Sequence, residues 1–359
     1  MAGFAQRFRD SVRSGAARRT QPGPLRRAGS LALPIGPRLA KREVAGYGVD
    51  LRAKAEGPAW PSSWMLLGGG SAARVSSVRA ERLVYVAHVQ WGLGCFERYL
   101  AGEGEVWLEG AVGAGRYLVS SQQRGGPRDG GWVHWFPFPH TYPLTGPWLS
   151  AMAQGQGASL LVRLYGATGE EEFADAAGRA LRPLRVPVAA GGTQAQLGDG
   201  PFPEEYPTIP PSMVLNGAFF ALWGLHDVAI GLGDAQAMGE FEQGIDSLAG
   251  GLYRWDTGFW SRYDLYPHRI PNLANPFYHR LHITLMHATR TLAPRAQFDS
   301  MIERFEAYAR SPRNSRRAYA SKVLFRVLSP RSPTLRRVLP WGPSLAGSPA
   351  PLDDVTDAG

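Results

Sequence analysis

The chain has 359 residues, 44% of them hydrophobic, enough to bury a sizeable core as one large domain or two small ones. Its formal net charge of +9 is unevenly spread: residues 1–42 and 304–337 each carry ten Lys/Arg against one acid, while 43–303 holds 19 basic and 25 acidic residues. The basicity therefore belongs to the ends, and a nucleic-acid partner is not expected for the centre. The single cysteine, Cys95, lies in an apolar helical run and excludes an intrachain disulfide or a cysteine-built zinc site; the histidines lack metal-ligand spacing, so no metal is expected.

Residues 1–42 are rich in Arg, Gly, Ala and Pro without apolar periodicity, which predicts a basic, disordered arm. They lack the apolar stretch of a signal peptide, and no run of eighteen apolar residues occurs. A soluble, cytoplasmic chain is expected, with basic ends suited to peripheral contact with an anionic membrane. Next comes an internal repeat. Apolar runs end at Leu100-Ala101-Gly102, Leu164-Tyr165-Gly166, Ala229-Ile230-Gly231 and Thr291-Leu292-Ala293, at intervals of about 65 residues. Each is followed by a second helical pattern, beginning near Glu105, Glu170, Ala237 and Gln297. The second helices are amphipathic, as Phe173, Ala177, Ala180, Leu181 and Leu184 show on one face, whereas the first are apolar or small all round and must be buried. Four buried helices backed by four amphipathic ones predict a mainly α fold, an incomplete α/α barrel of about four helical hairpins over 43–310. Small β-hairpins are expected in its long loops. Residues 311–359 read as a basic helical segment, docked or partner-binding, and a flexible tail.

Three long connections, roughly 122–146, 185–211 and 254–275, each precede a buried helix and so emerge at one rim. Pro147, Ser212 and Asn275-Pro276 mark the expected helix starts, whose N-termini favour an anion. The first loop, Gly130-Gly131-Trp132-Val133-His134-Trp135-Phe136, offers aromatic faces suited to sugar rings, with Trp148 close behind it. Gln154 or Gln156 on the following helix could reach a hydroxyl, or could be buried against backbone. The second loop ends in Glu204-Glu205-Tyr206-Pro207-Thr208-Ile209-Pro210-Pro211, two carboxyls and a phenol in a proline-stiffened segment before a helix carrying Asn216 in its first turn. The third contributes Tyr263, Arg269 and Asn272, and the helix after it Tyr278, His279 and His282. Tyrosines act in proton transfer only with a lowered pKa or as the acid partner of a better base; three of them, Tyr206, Tyr263 and Tyr278, map to the rim that holds Glu205.

The segments Trp148-Leu149-Ser150-Ala151-Met152-Ala153-Gln154-Gly155-Gln156, Glu204-Glu205-Tyr206-Pro207-Thr208, Val214-Leu215-Asn216-Gly217, Tyr263-Asp264-Leu265, Pro271-Asn272-Leu273-Ala274 and Tyr278-His279, in this order, resemble the C-terminal catalytic domain of D-glucuronyl C5-epimerases over roughly residues 45–315. Members of that family convert D-glucuronate to L-iduronate within heparosan and heparan sulfate precursors. The resemblance implies an anionic glucuronate-containing polysaccharide as partner, no cofactor, and Glu205 with Tyr278 as the proton-transfer pair, assisted by Tyr206 and Tyr263. It also leaves a homodimer open. Asn216, Arg269 and the helix N-termini are the implied stabilisers of developing charge. Two departures stand out: the animal enzymes' β-rich N-terminal domains do not fit this length, and Tyr266 stands where the family has an Arg three residues after the Tyr of Tyr-Asp-Leu. Gly68-Gly69-Gly70 lacks the context of a phosphate loop. A polysaccharide lyase, or a non-catalytic glycan-binding protein, remains the alternative. A glycoside hydrolase needs two carboxyls about 5–9.5 Å apart, and adjacent Glu204 and Glu205 should point apart.

Overall fold

The computed structural model describes residues 33–56, 84–138, 141–142 and 144–329. Residues 1–32 of the basic arm, Gly68-Gly69-Gly70 and the tail from 330 lie outside the described residues. The fold is mainly α. Four helical hairpins follow one another: α1 (Tyr85–Leu100) with α2 (Glu105–Ser121), α3 (Ala151–Thr168) with α4 (Glu171–Ala180), α5 (Leu215–Leu232) with α6 (Ala235–Gly251), and α7 (Pro276–Leu292) with α8 (Ala296–Arg310). A ninth helix, α9 (Pro312–Leu328), closes the described chain. The turns fall where the repeat places them because the chain offers glycine there: α3 and α5 end on Gly169 and Gly233 in the left-handed region, at φ 72° and 70°.

The first helix of each hairpin packs in sequence order, α1 on α3, α3 on α5 and α5 on α7, with its own partner behind it. The α3–α5 contact is the most extensive, and the cause is two facing glycines. A Cβ on Gly224 would lie 2.4 Å from the Gly155 Cα, so the two backbones touch directly. Every position of α5 from Leu215 to Ala229 is buried. Its length and apolarity would also suit a membrane, but here they serve the protein's own core. The buried Arg163–Asp227 pair, 2.6 Å apart, joins the later turns of α3 and α5, and Arg163 also donates to the carbonyls of Ala45 and Gly46.

Several local expectations change. The outer helix α4 stops at Ala180; a separate short helical turn, Arg182–Arg185, follows with Pro183 in its first positions, so Leu181 and Leu184 are buried beyond the end of α4. α3 begins at Ala151 with Ser150 as its cap, not at Pro147, and α5 begins at Leu215, not at Ser212. Asn275 and Pro276 do cap and start α7: the Asn275 side chain accepts from the Tyr278 N–H at 2.9 Å. Of the long loops, the second holds a β-hairpin, β1 (Gln194–Leu197) and β2 (Gly200–Pro203), antiparallel with Gln194 opposite Pro203. The first and third are tied by isolated bridges, His134 to Trp148 and Arg262 to Leu273. The basic segment after α8 is a docked helix: α9 buries Ala318 and Phe325, and Lys322 donates to Asn272 Oδ1 at 2.6 Å and to the Leu273 carbonyl at 2.7 Å.

Candidate active site

Residues from the first two turns of all four inner helices line one cavity of about 180 Å³: Val86 and Gln90 of α1, Met152 of α3, Asn216 and Phe220 of α5, Tyr278 and Leu281 of α7. Lys54, from a short 3-10 helix, and loop residues complete it, among them His134, Phe138, Trp148, Glu205 and Tyr206. The volume is small for a ligand site and matches one sugar ring better than a folded oligosaccharide. Helix N-termini facing a common space give it a positive field.

Glu204 and Glu205 have opposite tasks. The Glu204 side chain turns back into its own loop, accepting from the Ser212 N–H at 3.1 Å, the Met213 N–H at 2.9 Å and the Ser212 hydroxyl. Its carbonyl accepts from Ala151 N–H at 3.0 Å, so one residue ties the second loop to the starts of α3 and α5. This grip holds Met213 at φ 49°, a left-handed conformation uncommon for a side-chain-bearing residue. Further on, the Leu215 N–H donates to the Tyr263 carbonyl at 3.3 Å, and the Leu265 N–H to the Ser212 carbonyl at 3.0 Å, which fastens the third loop to the second.

Glu205, 5% exposed, faces the cavity. Its Oε2 accepts from Asn216 Nδ2 at 3.3 Å and lies over Gly217, where a Cβ would meet it at 2.5 Å. Burial pushes its carboxyl up to about 7, against hydrogen bonds from Tyr206 and Asn216 that favour the charged form. Around it stand the phenols. Tyr206 stacks on Phe138, ring centroids 5.5 Å apart, and Tyr278 meets Tyr263 edge to face at 4.9 Å. Burial first, then the Glu205 charge, drives the Tyr263 phenol well above its ordinary value, and Tyr142 is raised likewise by burial and Asp264. The arrangement supplies a carboxyl that loses its proton near neutrality beside a buried phenol that keeps its own. That is a base with acid partners.

Of the residues singled out from sequence, Glu205, Tyr206, Asn216, Trp148 and Tyr278 line this cavity, with Tyr263 one ring behind Tyr278. The others lie elsewhere. Trp132 is fully buried with its indole N–H on the Leu118 carbonyl, because Gly157 leaves space for the ring. Gln154 is a buried clamp, accepting from the Trp132 N–H and donating to the Gly130 and Ala180 carbonyls. Gln156 sits behind the wall, accepting from Gln90 at 3.3 Å. Asn272 is held between Asp264 and Lys322. His279 stacks on Trp260 and shares the Ser261 hydroxyl with His282, all three sealed in the core. Arg269 is exposed and outside the lining, while Tyr266 is buried against Tyr142 and His268.

Three lining residues had no signal strong enough to single them out: Lys54, Gln90 and His134. His134 lay within the aromatic loop, and it stacks on Trp148 at 3.9 Å; burial lowers its imidazole to about 3, so it is neutral. Lys54 and Gln90 belong to segments whose approach to the rim is a tertiary event. Among the described residues no group of His, Cys, Asp or Glu is arranged to hold a metal ion.

A mainly α scaffold that gathers one titrating carboxyl and several phenols at its helix N-termini defines the class: an acid–base cavity on helical hairpins. Residues 127–307 match the model of the D-glucuronyl C5-epimerase C-terminus, and the chain belongs to that family. It is similar to D-glucuronyl C5-epimerase of Caenorhabditis elegans, 33% identical over 156 residues, covering 39% of this chain and 25% of the relative. An uncharacterised protein of Methanocaldococcus jannaschii is also 33% identical over 156 residues, covering 42% of this chain and 49% of that protein. The chain thus spans between a quarter and about half the length of these curated relatives.

Proposed function

We propose that the protein is an isomerase that inverts C5 of D-glucuronate residues within an acidic polysaccharide of the heparosan kind, using Glu205 as base and Tyr278 as acid. The observation that carries this reading is the Glu205 carboxyl, buried at the cavity wall with its pKa near neutrality, beside Tyr206 and Tyr278 of the same lining and the buried Tyr263 phenol, which burial keeps protonated. Glu205 takes the C5 proton; the electron pair left behind enters the uronate carboxylate to give an enediolate. Tyr278, entering from a different element, delivers its phenolic proton to the opposite face of C5, and Tyr263 behind it and Tyr206 beside it relay or stabilise. Asn216 and the helix N-termini favour the added negative charge, an effect worth about 3–4 kcal/mol per well-placed donor. No group on this path needs a cofactor. We read the row of inner helices as an open α/α toroid, with the chain acting in solution and the basic charge of its ends suited to anionic surfaces.

Incubation with glucuronans in deuterated water tests this directly by proton NMR. Deuterium should enter C5 without chain cleavage, with iduronate signals appearing. An ultraviolet-absorbing unsaturated uronate would instead mean that the C4 oxygen departs, as in a lyase, and no exchange with any glucuronan would favour glycan binding alone.

A further inference from the structure

The cavity holds a cation that the proton-transfer machinery does not use. Lys54 sits on the short 3-10 helix Arg52–Glu56, which lies against α1 so closely that a Cβ on Gly94 would come 2.4 Å from the Leu51 carbonyl oxygen. Leu51 and Ala55 are buried on either side of it, so the lysine is presented from an anchored element. The neighbouring cations are engaged: Arg52 pairs with Asp50 at 2.7 Å, and Arg98 with Glu56 and Glu103. Among the described residues, by contrast, the Lys54 ammonium has neither an ion-pair nor a hydrogen-bond partner. It is also the one Lys or Arg among the described residues of the lining, where His134 is neutral. Burial alone acts on its pKa, and lowers it, with no carboxylate or phenol holding it up. An ammonium withdrawn from water without a counter-ion is costly unless a ligand provides one.

We infer that Lys54 is the anion-recognising residue of this cavity, pairing with a carboxylate of the bound acidic glycan. This rests on the reading of the cavity as a glucuronan site and adds the residue that selects acidic over neutral sugars. Lys54 lies toward α1, whereas Glu205 and Asn216 belong to the α5 side and Tyr278 to α7. The substrate's charge would therefore be met by an element other than those that carry the base and the acid.

Calorimetric titration with a heparosan octasaccharide, the same octasaccharide with its carboxylates reduced to hydroxymethyl groups, and a trisaccharide with a single glucuronate provides the test. Lys54→Met should weaken octasaccharide binding on the order of 10- to 100-fold, as for truncation of one partner of a partly buried charge pair, and Lys54→Arg should restore most of it. Arg52→Ala, which removes a positive charge outside the cavity, should change affinity by less than about 3-fold. The carboxyl-reduced octasaccharide should bind wild type weakly and Lys54→Met no worse. An equal loss on the trisaccharide would assign the contact to the uronate in the cavity; a loss confined to the octasaccharide would assign it to a neighbouring sugar. Equal affinity of Lys54→Met and wild type for every acidic glycan, an equal loss on the reduced form, or no binding by wild type would overturn the inference. Deuterium exchange by the wild-type protein reads the catalytic proposal separately, so the two can fail independently.

Discussion

With Glu205 as the proposed base, its pKa should set the pH dependence of exchange. A carboxyl with its pKa near 7 accepts a proton only when ionised, so C5 exchange should rise through an acid limb centred near pH 7. Asn216 donates to the ionised form, and its removal must raise that pKa. In Asn216→Leu the limb should move upward by about one unit, the low end for a hydrogen bond to a charged group. Exchange should fall more at pH 7 than at pH 9, where only the loss of Asn216 as a donor to the developing charge remains; a limb that stays in place would show that Asn216 does not tune Glu205. Glu205→Gln should cost on the order of 10²- to 10⁴-fold at every pH. These residues were legible because their types cluster in sequence on either side of helix starts. Gln154, Asn272, His279 and His282 carried the same polar signal yet bond to other groups inside the core, His282 through its Nδ1 alone, since a buried amide or imidazole seeks partners wherever it is.

At the scale of elements, the site depends on how closely α3 and α5 approach. Met152 and Asn216 reach the same cavity only because Gly155 and Gly224 let the two backbones touch. Gly224→Ala places a methyl carbon within 2.4–2.7 Å of Gly155 backbone atoms, and backbone yields less readily than a side-chain tip. It should destabilise by about 1–3 kcal/mol, visible as a lower urea midpoint at unchanged m-value. An unaltered midpoint would mean that the helices separate at no cost. Hairpin turns and buried faces followed from periodicity and glycine placement. The helix starts did not: Pro147 and Ser212 are turn and cap residues by type, but Glu204 recruits Ser212 to hold the loop, which delays α5 to Leu215.

For the whole molecule, buried titratable groups of both kinds shape stability against pH. His88, His134 and His279 are lowered by burial to about 4, 3 and 4, from 6.5, so their contribution is complete above pH 6.5 and is lost as pH falls toward those values. Glu204 and Glu205 are raised by burial to about 8 and 7, from 4.5; their contribution is complete below pH 4.5 and is lost as pH rises through 7 to 8. Between the two unfolded values the histidines prevail in number, and above 6.5 only the carboxyls act. Thermal unfolding from pH 5 to 9 should therefore show maximal stability near pH 6.5. A midpoint still rising at pH 8 would mean that the two glutamates are not held protonated in the folded chain.

The sequence alone determined the mainly α class, the hairpin repeat and the family, and it pointed to Glu205, Tyr206, Asn216 and Tyr278, which line one cavity, because periodicity, glycine turns and contiguous motifs are local properties of the chain. Tertiary structure alone decided which polar residues face the cavity and which are spent in the core. It brought Lys54 and Gln90 to the rim, buried Trp132, and turned one of two adjacent glutamates into its own loop and the other toward the cavity. The physical reason is that side-chain direction and desolvation are set by distant neighbours, which no spacing along the chain records.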